Sequence, residues 1–105
     1  MTVDTATTEP VGTLQEVLAA LADPIRLDIV NRLASAHEPV ACAALYDNIS
    51  KSTASHHFKV LREAGITQRV IIGGQTHQEL RLDEVEAHYP GVLAAIIATG
   101  SATAR

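Results

Sequence analysis

The segment from Ser50 to Gly65 restricts the fold more than any other part of the sequence, because its ends and its spacing both indicate one helix. Ser50 can accept a backbone N–H of the first turn, and Gly65 suits the left-handed position that follows a last turn. Apolar positions recur at i, i+4, i+7 and i+11, which is helical spacing. These positions are Ala54, Phe58, Leu61 and Gly65. We therefore predict a helix with one buried face.

The opposite face of this helix carries short hydrogen-bonding side chains, an imidazole and a cation, and it has no carboxylate. Its residues are Ser52, Ser55, His56 and Lys59. Short polar side chains near a helix N-terminus can approach base edges in the major groove of DNA, and the positive end of the helix dipole favours phosphates. An ordinary solvated helix face is the alternative that these residues leave open.

Charge is distributed unevenly along the 105 residues, although the formal net charge of the whole chain is −4. Residues 1–48 have a net charge of −5, residues 49–82 have five basic and two acidic side chains, a net charge of +3, and residues 83–105 have −2. A DNA-binding surface needs cations where it meets phosphates. The middle of the chain is therefore the part that favours contact with DNA.

Three helices are predicted before this segment. Thr13 can cap the first, with Glu16 as its capping-box partner, and Asp23 and Pro24 can be the N-cap and first residue of the second. A short third helix is predicted from Val40 to Asn48. Two helices joined by a tight turn are typical of the helix-turn-helix, whose second helix enters the major groove.

After the central helix the pattern changes to that of a β-hairpin. Residues 66–72 are rich in β-branched side chains, residues 73–74 are two glycines, and residues 76–82 return. A hairpin in this position is a wing, and its tip from Gly73 to His77 would lie near the minor groove or the DNA backbone. A solvated turn is the alternative for this tip. Alternation predicts Leu80 and Leu82 on one face of the returning strand, with Glu79 and Arg81 on the other.

The C-terminal part is predicted to contain two more helical segments. Asp83 is expected to cap the first, with Glu86 as its capping-box partner, and Pro90 to interrupt it and start the last helix. Residues 92–98 are apolar on nearly every side, which is more than a small monomer can bury. We expect this helix at a symmetric interface between two copies, with burial in its own core as the alternative.

The pattern Ser-x-Ser-Thr-x-Ser-His-His-x-Lys-Val-Leu-Arg-Glu-Ala-Gly at residues 50–65 strongly resembles the recognition helix of the ArsR/SmtB family of bacterial winged-helix repressors. The stretch Leu-Ala-Asp-Pro-Ile-Arg-Leu at residues 21–27 resembles the opening signature of that family. The resemblance covers residues 13–82 well and the last helix weakly. It implies a mainly α fold with a small β-hairpin, the winged helix-turn-helix, assembled as a homodimer.

The same resemblance implies a sequence-specific transcriptional regulator, and most often a repressor. It implies a palindromic operator in double-stranded DNA, with residues 50–64 in the major groove and residues 66–82 as the wing. Arg26 is either a phosphate contact or an intramolecular partner of Asp23 or Asp28. The predicted DNA-binding residues are Lys51, Ser52, Thr53, Ser55, His56, Lys59, Arg69 and His77.

The chain is long enough for one domain. We divide it into a mobile N-terminal tail at residues 1–12, a DNA-binding and dimerisation domain at residues 13–100, and a C-terminal tail at residues 101–105. No pattern resembles a signal peptide or an apolar run of about 20 residues that would cross a membrane. The single cysteine, Cys42, cannot form an intrachain disulfide, so we expect a cytoplasmic protein.

Proteins that resemble ArsR typically release DNA when they bind a metal or when paired cysteines are oxidised. Cys42 lacks the Cys-x-Cys partner of the soft-metal sites, and residues 86–88 repeat only half of the Asp-x-His…His-x-x-Glu pattern of the last-helix sites. We therefore predict no cofactor. The weak candidates for a non-standard metal site are His37, Cys42, Glu86 and His88.

An enzyme is not expected, because the sequence has no glycine-rich phosphate loop and no pattern that places a histidine beside Cys42. Two alternatives to a simple repressor remain open. One is a winged-helix module that binds a partner protein, and the other is a metal-responsive repressor with a non-standard site. The regulating effector, whether a metal, a small molecule, an oxidant or a partner protein, is not specified by the sequence.

Overall fold

The computed structural model describes residues 9–103, with side chains to residue 99, and the predicted mainly α fold with a small hairpin is confirmed. The described part contains five α-helices, one short 3₁₀-helix and three strands. In chain order these are α1 (Leu14–Leu21), α2 (Pro24–Ala36), β1 (Val40–Ala41), the 3₁₀-helix (Cys42–Ala44), α3 (Lys51–Glu63), β2 (Thr67–Ile72), β3 (Gln75–Leu80), α4 (Leu82–His88) and α5 (Val92–Thr103).

Side chains cap the first three α-helices where the sequence predicted. The Thr13 hydroxyl accepts the Glu16 N–H at 3.1 Å, and the Glu16 carboxylate accepts the Thr13 N–H at 2.8 Å, which completes the capping box. Asp23 accepts the backbone N–H three residues further on at 3.0 Å, and Ser50 does the same at 3.1 Å. Local sequence therefore determines where these helices begin.

The core lies between the helices and the inner face of the hairpin. The apolar stripe predicted for α3 is buried, with Ala54 and Leu61 fully inside and Phe58 only 6% exposed. Because one face of α3 is held in this way, its other face is directed outward. The largest fully buried side chains are Ile29, Leu45, Leu61, Ile66, Leu93, Val17, Val30, Val70 and Val85.

The predicted wing is an antiparallel hairpin with a two-residue turn. Ile72 pairs with Gln75, and Gly73 and Gly74 between them have φ angles of +58° and +79°. Positive φ at both central residues is the requirement of the tight turns that suit twisted strands. β3 also pairs with β1, which gives a three-stranded antiparallel sheet in the order β1-β3-β2.

The prediction of a helix from Val40 to Asn48 is wrong. Its first two residues form β1, and Val40 pairs with Gln78 of β3. Only the 3₁₀-helix follows, and Asn48 has a φ of +62°, which is incompatible with a continuing helix. The free edge of β3 supplies backbone partners that outweigh a weak local helical preference.

The predicted alternation along the returning strand fails after Leu80, where β3 ends. The Arg81 side chain is buried, and its Nη1 donates to the Gly65 carbonyl at 3.1 Å and to the Glu9 carbonyl. Leu82 begins α4 and is 38% exposed. Side chains no longer alternate between two faces after Leu80, because the chain continues there as a helix.

The predicted capping box of Asp83 and Glu86 is also wrong. α4 begins at Leu82 without a side-chain cap, and the Glu86 carboxylate instead accepts backbone N–H groups at the start of α5. These come from Gly91 at 2.8 Å, Leu93 at 2.9 Å and Ala94 at 3.3 Å. Pro90 was predicted to start the last helix, but it lies in the turn, and α5 begins at Val92.

The ends of the chain differ from the predicted boundaries. Residues 1–8 of the predicted tail lie outside the described residues, whereas residues 9–12, here called the N-terminal strap, pack on the domain. The Gly12 N–H donates to the Ala64 carbonyl at 2.9 Å, and the Tyr89 hydroxyl donates to the Gly12 carbonyl at 2.6 Å. α5 continues to Thr103, past the predicted boundary at residue 100. None of the helices in residues 9–103 has the length and apolar character needed to cross a bilayer.

Candidate nucleic-acid interface

The outward face of α3 presents the predicted polar residues to solvent. All six predicted DNA contacts on this helix are exposed, while Ala54 and Phe58 of the same helix are buried. The first turn contains no acidic residue, so its unpaired N–H groups and the helix dipole favour an anion. The six exposed residues are Lys51, Ser52, Thr53, Ser55, His56 and Lys59.

Hydroxyl groups at the start of α3 are arranged around the cap. The Ser50 hydroxyl donates to the Thr53 hydroxyl at 2.9 Å, and its oxygen lies 3.2 Å from that of Ser52. All three side chains are exposed. Because hydroxyls both donate and accept, this group can bond to phosphate oxygens or to base edges without rearranging the helix.

The cations beside this face are available to an external anion. Lys59 lies 4.0 Å from Glu63, but both side chains are about 60% exposed, so the pair is weak. Within the described residues, Lys51 and Arg69 take part in no ion pair. The exposed surface of α3 therefore combines hydrogen-bonding groups with positive charge.

The wing brings only one of its two predicted contacts to α3. Arg69 of β2 is exposed and lies opposite Gln78 in the sheet, beside the cleft between α3 and the hairpin. His77 pairs with Val70 and Ala41, and residues that neighbour along a strand face opposite sides of the sheet. His77 therefore faces away from Arg69 and α3.

The Arg26 guanidinium is held within the protein rather than presented to a phosphate, but it pairs with neither Asp23 nor Asp28 as predicted. Its guanidinium donates to the carbonyls of Ala19 and Ala20 at the end of α1, and to His57 Nδ1 at 3.0 Å. Asp28 pairs with Arg32 instead, at 2.9 Å. Arg26 thus joins α1, α2 and α3.

His57 of α3 has a structural role that was not predicted from the sequence. It is 8% exposed, and its Nδ1 accepts from Arg26 at 3.0 Å and lies 3.9 Å from an Asp23 oxygen. A guanidinium can only donate, so the ring hydrogen is on Nε2. The Arg26 backbone N–H, followed by the nearby positive charge of Arg26, holds the pKa of Asp23 below its usual value of 3.8. In the sequence, the position of His57 three residues after the buried Ala54 was the signal that could have indicated its burial.

The weak metal candidates do not come together in the structure. Within the described residues no three His, Cys, Asp or Glu side chains are placed to hold an ion. His37 ends α2 with a φ of +58°, and Cys42 lies near a glutamine amide of β3. Glu86 caps α5, and His88 Nδ1 lies 3.0 Å from the carbonyl four residues before it. The absence of a cofactor stays a prediction.

A family profile described as a helix-turn-helix domain matches residues 21–70, from the end of α1 into β2. The chain is 36% identical over 80 residues to the uncharacterized HTH-type transcriptional regulator YceK of Bacillus subtilis (strain 168). That alignment covers 74% of this chain and 80% of YceK. Both matches are with transcription-regulator sequences, which agrees with the prediction of a regulator rather than an enzyme.

Two solved structures have the same fold. The transcriptional repressor BigR from Xylella fastidiosa superposes with a TM-score of 0.65 and 23% identity, over 88% of this chain and 87% of BigR. An ArsR-like transcriptional regulator from Rhodococcus sp. RHA1 gives 0.62 and 21%, over 85% of this chain and 79% of that one. The chain therefore belongs to the HTH-type transcriptional regulators, and its fold is the one shared by these two solved structures.

Proposed function

We propose that this regulator is a repressor that binds a palindromic operator in double-stranded DNA as a homodimer. The observation that carries the proposal is the outward face of α3, which is exposed, free of carboxylates in its first turn and flanked by cations. Ser52, Ser55 and His56 contact base edges in the major groove. Lys51, Thr53, Lys59 and Arg69 contact phosphates, and His77 contacts the backbone from the other side of the wing.

Repression rather than activation is supported by the nature of the fold. A dimer that is bound to a promoter through α3 and the wing occupies the DNA there, so its simplest action is repression. The structurally similar BigR is a transcriptional repressor. DNA-binding domains of this type need no further domain to exclude a competing protein from the same DNA segment.

The homodimer is supported by an apolar groove of about 560 Å³ formed by α1, α2 and α5. Leu18 and Ile96 line it, and Leu14 and Leu18 of α1 are 38% and 46% exposed. A second copy would remove these side chains from water by a two-fold contact. Two recognition helices related by such an axis lie about 34 Å apart, or a multiple of that distance, which requires a palindromic site.

The test is fluorescence anisotropy with the DNA upstream of the protein's own gene, at two salt concentrations. Ser55→Ala should weaken specific binding by about 1–3 kcal/mol without changing the melting temperature, because the side chain is exposed. Lys59→Ala should weaken specific and unrelated DNA alike and reduce the salt dependence. Ser35→Ala, at an exposed position on α2, is the matched control. Unchanged affinity in both α3 variants would refute the interface.

A further inference from the structure

A cavity of about 580 Å³ lies between α3, the 3₁₀-helix and the wing, and we call it the helix–wing cleft. Its volume falls within the range of about 300–1,000 Å³ that is usual for small-molecule sites. It is formed by three elements that meet only in the folded protein. The helix–wing cleft opens beside the proposed DNA-binding face, because Ser55 and Lys59 belong to both.

The charge of the helix–wing cleft is entirely positive. Four cationic side chains line it, and none of its lining residues is acidic. The four are Lys51, Lys59, Arg62 and Arg69. Because like charges gathered around a cavity with apolar walls raise the local concentration of anions, the helix–wing cleft favours an anionic ligand.

The remaining wall of the helix–wing cleft contains two aromatic rings among small apolar and polar residues. Tyr46 and Phe58 both line it, with ring centroids 6.2 Å apart and an angle of 61° between the planes. This edge-to-face pair offers a surface on which a planar apolar group can pack. A DNA phosphate would use the cations and leave this surface unused.

Gln78 supplies a polar group that lacks a partner. Its side chain lines the helix–wing cleft and is 2% exposed, and its Nε2 donates to Cys42 Sγ at 3.6 Å. Its Oε1 is buried without a hydrogen-bond partner within the described residues. A buried acceptor in this state is costly, and the broad terminal torsion of glutamine lets it turn toward a donor in the cavity.

We propose that the helix–wing cleft binds a small organic acid that has a planar apolar body and a hydroxyl group at the end opposite the acid. The acid group meets Lys51, Lys59, Arg62 and Arg69, the ring packs on Tyr46 and Phe58, and the hydroxyl donates to Gln78 Oε1. The regulatory part rests on the proposed function, since three of these cations are assigned to DNA phosphates. The bound acid then excludes the operator by direct competition.

The probe for this site is 4-hydroxybenzoate, and binding is measured by calorimetry on the full chain without DNA. Benzoate has the same ring and acid but no hydroxyl donor, and inorganic phosphate has charge without a ring. We expect 4-hydroxybenzoate to bind about three- to tenfold more tightly than benzoate, because only the former satisfies Gln78. Saturating 4-hydroxybenzoate should also release operator DNA.

The matched variant is Gln78→Leu, which keeps the bulk of the side chain and removes the acceptor. It should bind both aromatic acids with equal affinity and still bind DNA, because Gln78 is only 2% exposed and is not among the proposed DNA contacts. Arg62→Gln, at a position not assigned to DNA, should weaken both acids by a similar factor. It provides a second test if Gln78→Leu does not fold.

Three results would overturn the proposal. They are no binding of 4-hydroxybenzoate at millimolar concentration, equal affinity for both aromatic acids in the unaltered protein, and phosphate binding as tight as that of either acid. The last result would make the helix–wing cleft a phosphate contact of the DNA interface only. Acid binding without operator binding would refute the proposed function and leave the ligand site in place. Operator binding without acid binding would refute the ligand site and leave the proposed function in place.

Discussion

Two neighbouring histidines of α3 have different roles because they lie on different faces of the helix. His57 is 8% exposed and bonded to Arg26, whereas His56 is exposed. We predict that His57→Ala lowers the free energy of unfolding by about 1–3 kcal/mol, because it leaves an Arg26 donor without its partner. His56→Ala should change stability by no more than about 0.5 kcal/mol and weaken operator binding instead.

Urea denaturation followed by circular dichroism measures the first effect, and anisotropy with operator DNA measures the second. Each variant is the control for the other, since the substitution and the helix are the same. Equal losses of stability in the two variants would contradict the assignment of the faces.

Glu86 gives the domain a specific dependence on acid pH. Its pKa lies below the usual 4.5, first because the Gly91 N–H donates to the carboxylate and then because the N–H groups of Ala94 and Leu93 do. A lowered pKa in the folded state means that this stabilisation is present above the usual pKa. It is lost as pH falls through the lowered value.

We therefore predict that Glu86→Gln lowers the melting temperature at neutral pH and reduces its fall between about pH 5 and pH 3. Glu38→Gln is the control, because Glu38 is exposed and has no hydrogen bond or ion pair among the described residues. Parallel pH profiles for Glu86→Gln and the unaltered protein would show that this carboxylate does not hold the start of α5.

At the scale of whole elements, substitutions at two glycines can test the contact between the N-terminal strap and the end of α3. Gly65 and Gly74 have φ angles of +81° and +79°. A Cβ at Gly65 would lie 2.5 Å from the Pro10 carbonyl oxygen and 2.6 Å from Val11 Cα, whereas a Cβ at Gly74 would have nothing within 4 Å. The two positions share the left-handed backbone and differ in their surroundings.

We predict that Gly74→Ala costs about 1–2 kcal/mol of stability, from backbone strain alone. Gly65→Ala should cost about 2–5 kcal/mol, because overpacking against the N-terminal strap is added. Urea denaturation of the two variants gives the difference directly. Equal costs would indicate that the N-terminal strap does not pack on α3 in solution.

The elements that could be predicted from the sequence are those determined by local signals. Ser50 and Gly65 end α3 through their own hydrogen bond and backbone angle, and the stripe between them fixes its buried face. Val40 could not be recognised as a strand, because its partner in β3 is distant in sequence. Glu86 matched a local capping pattern but bonds to α5, because Gly91, with a φ of +89°, turns the chain back.

The features of the candidate site also divide into those that local sequence predicts and those that depend on packing between segments. The exposed face of α3 follows from helical spacing, so it could be predicted. The link between His57 and Arg26 depends on how α2 packs on α3, and the helix–wing cleft depends on where the hairpin lies. Neither arrangement has a pattern within a single segment, because both arise from packing between segments.

At the scale of the whole molecule, exposed leucines on two surfaces allow the proposed dimer to be tested. Leu18 is 46% exposed and lines the apolar groove, whereas Leu82 is 38% exposed and lies at the start of α4, outside that groove. We predict that Leu18→Glu yields a folded monomer with weaker operator binding, because it places a charge in the interface. Leu82→Glu should remain a dimer by light scattering. A dimeric Leu18→Glu protein would refute this interface.

Because β3 pairs with both other strands, the helix-turn-helix segment of this protein should not fold as a separate domain. The helix-turn-helix profile ends within β2, so a fragment of residues 21–70 would lack the strand to which β1 and β2 both pair. It would also lack Val85 and Leu93 of the core. Such a fragment should not fold alone, and α3 and the wing of the full chain should unfold in one cooperative transition. A change of operator specificity is therefore better made by substitutions on the exposed face of α3 than by transplanting the helix.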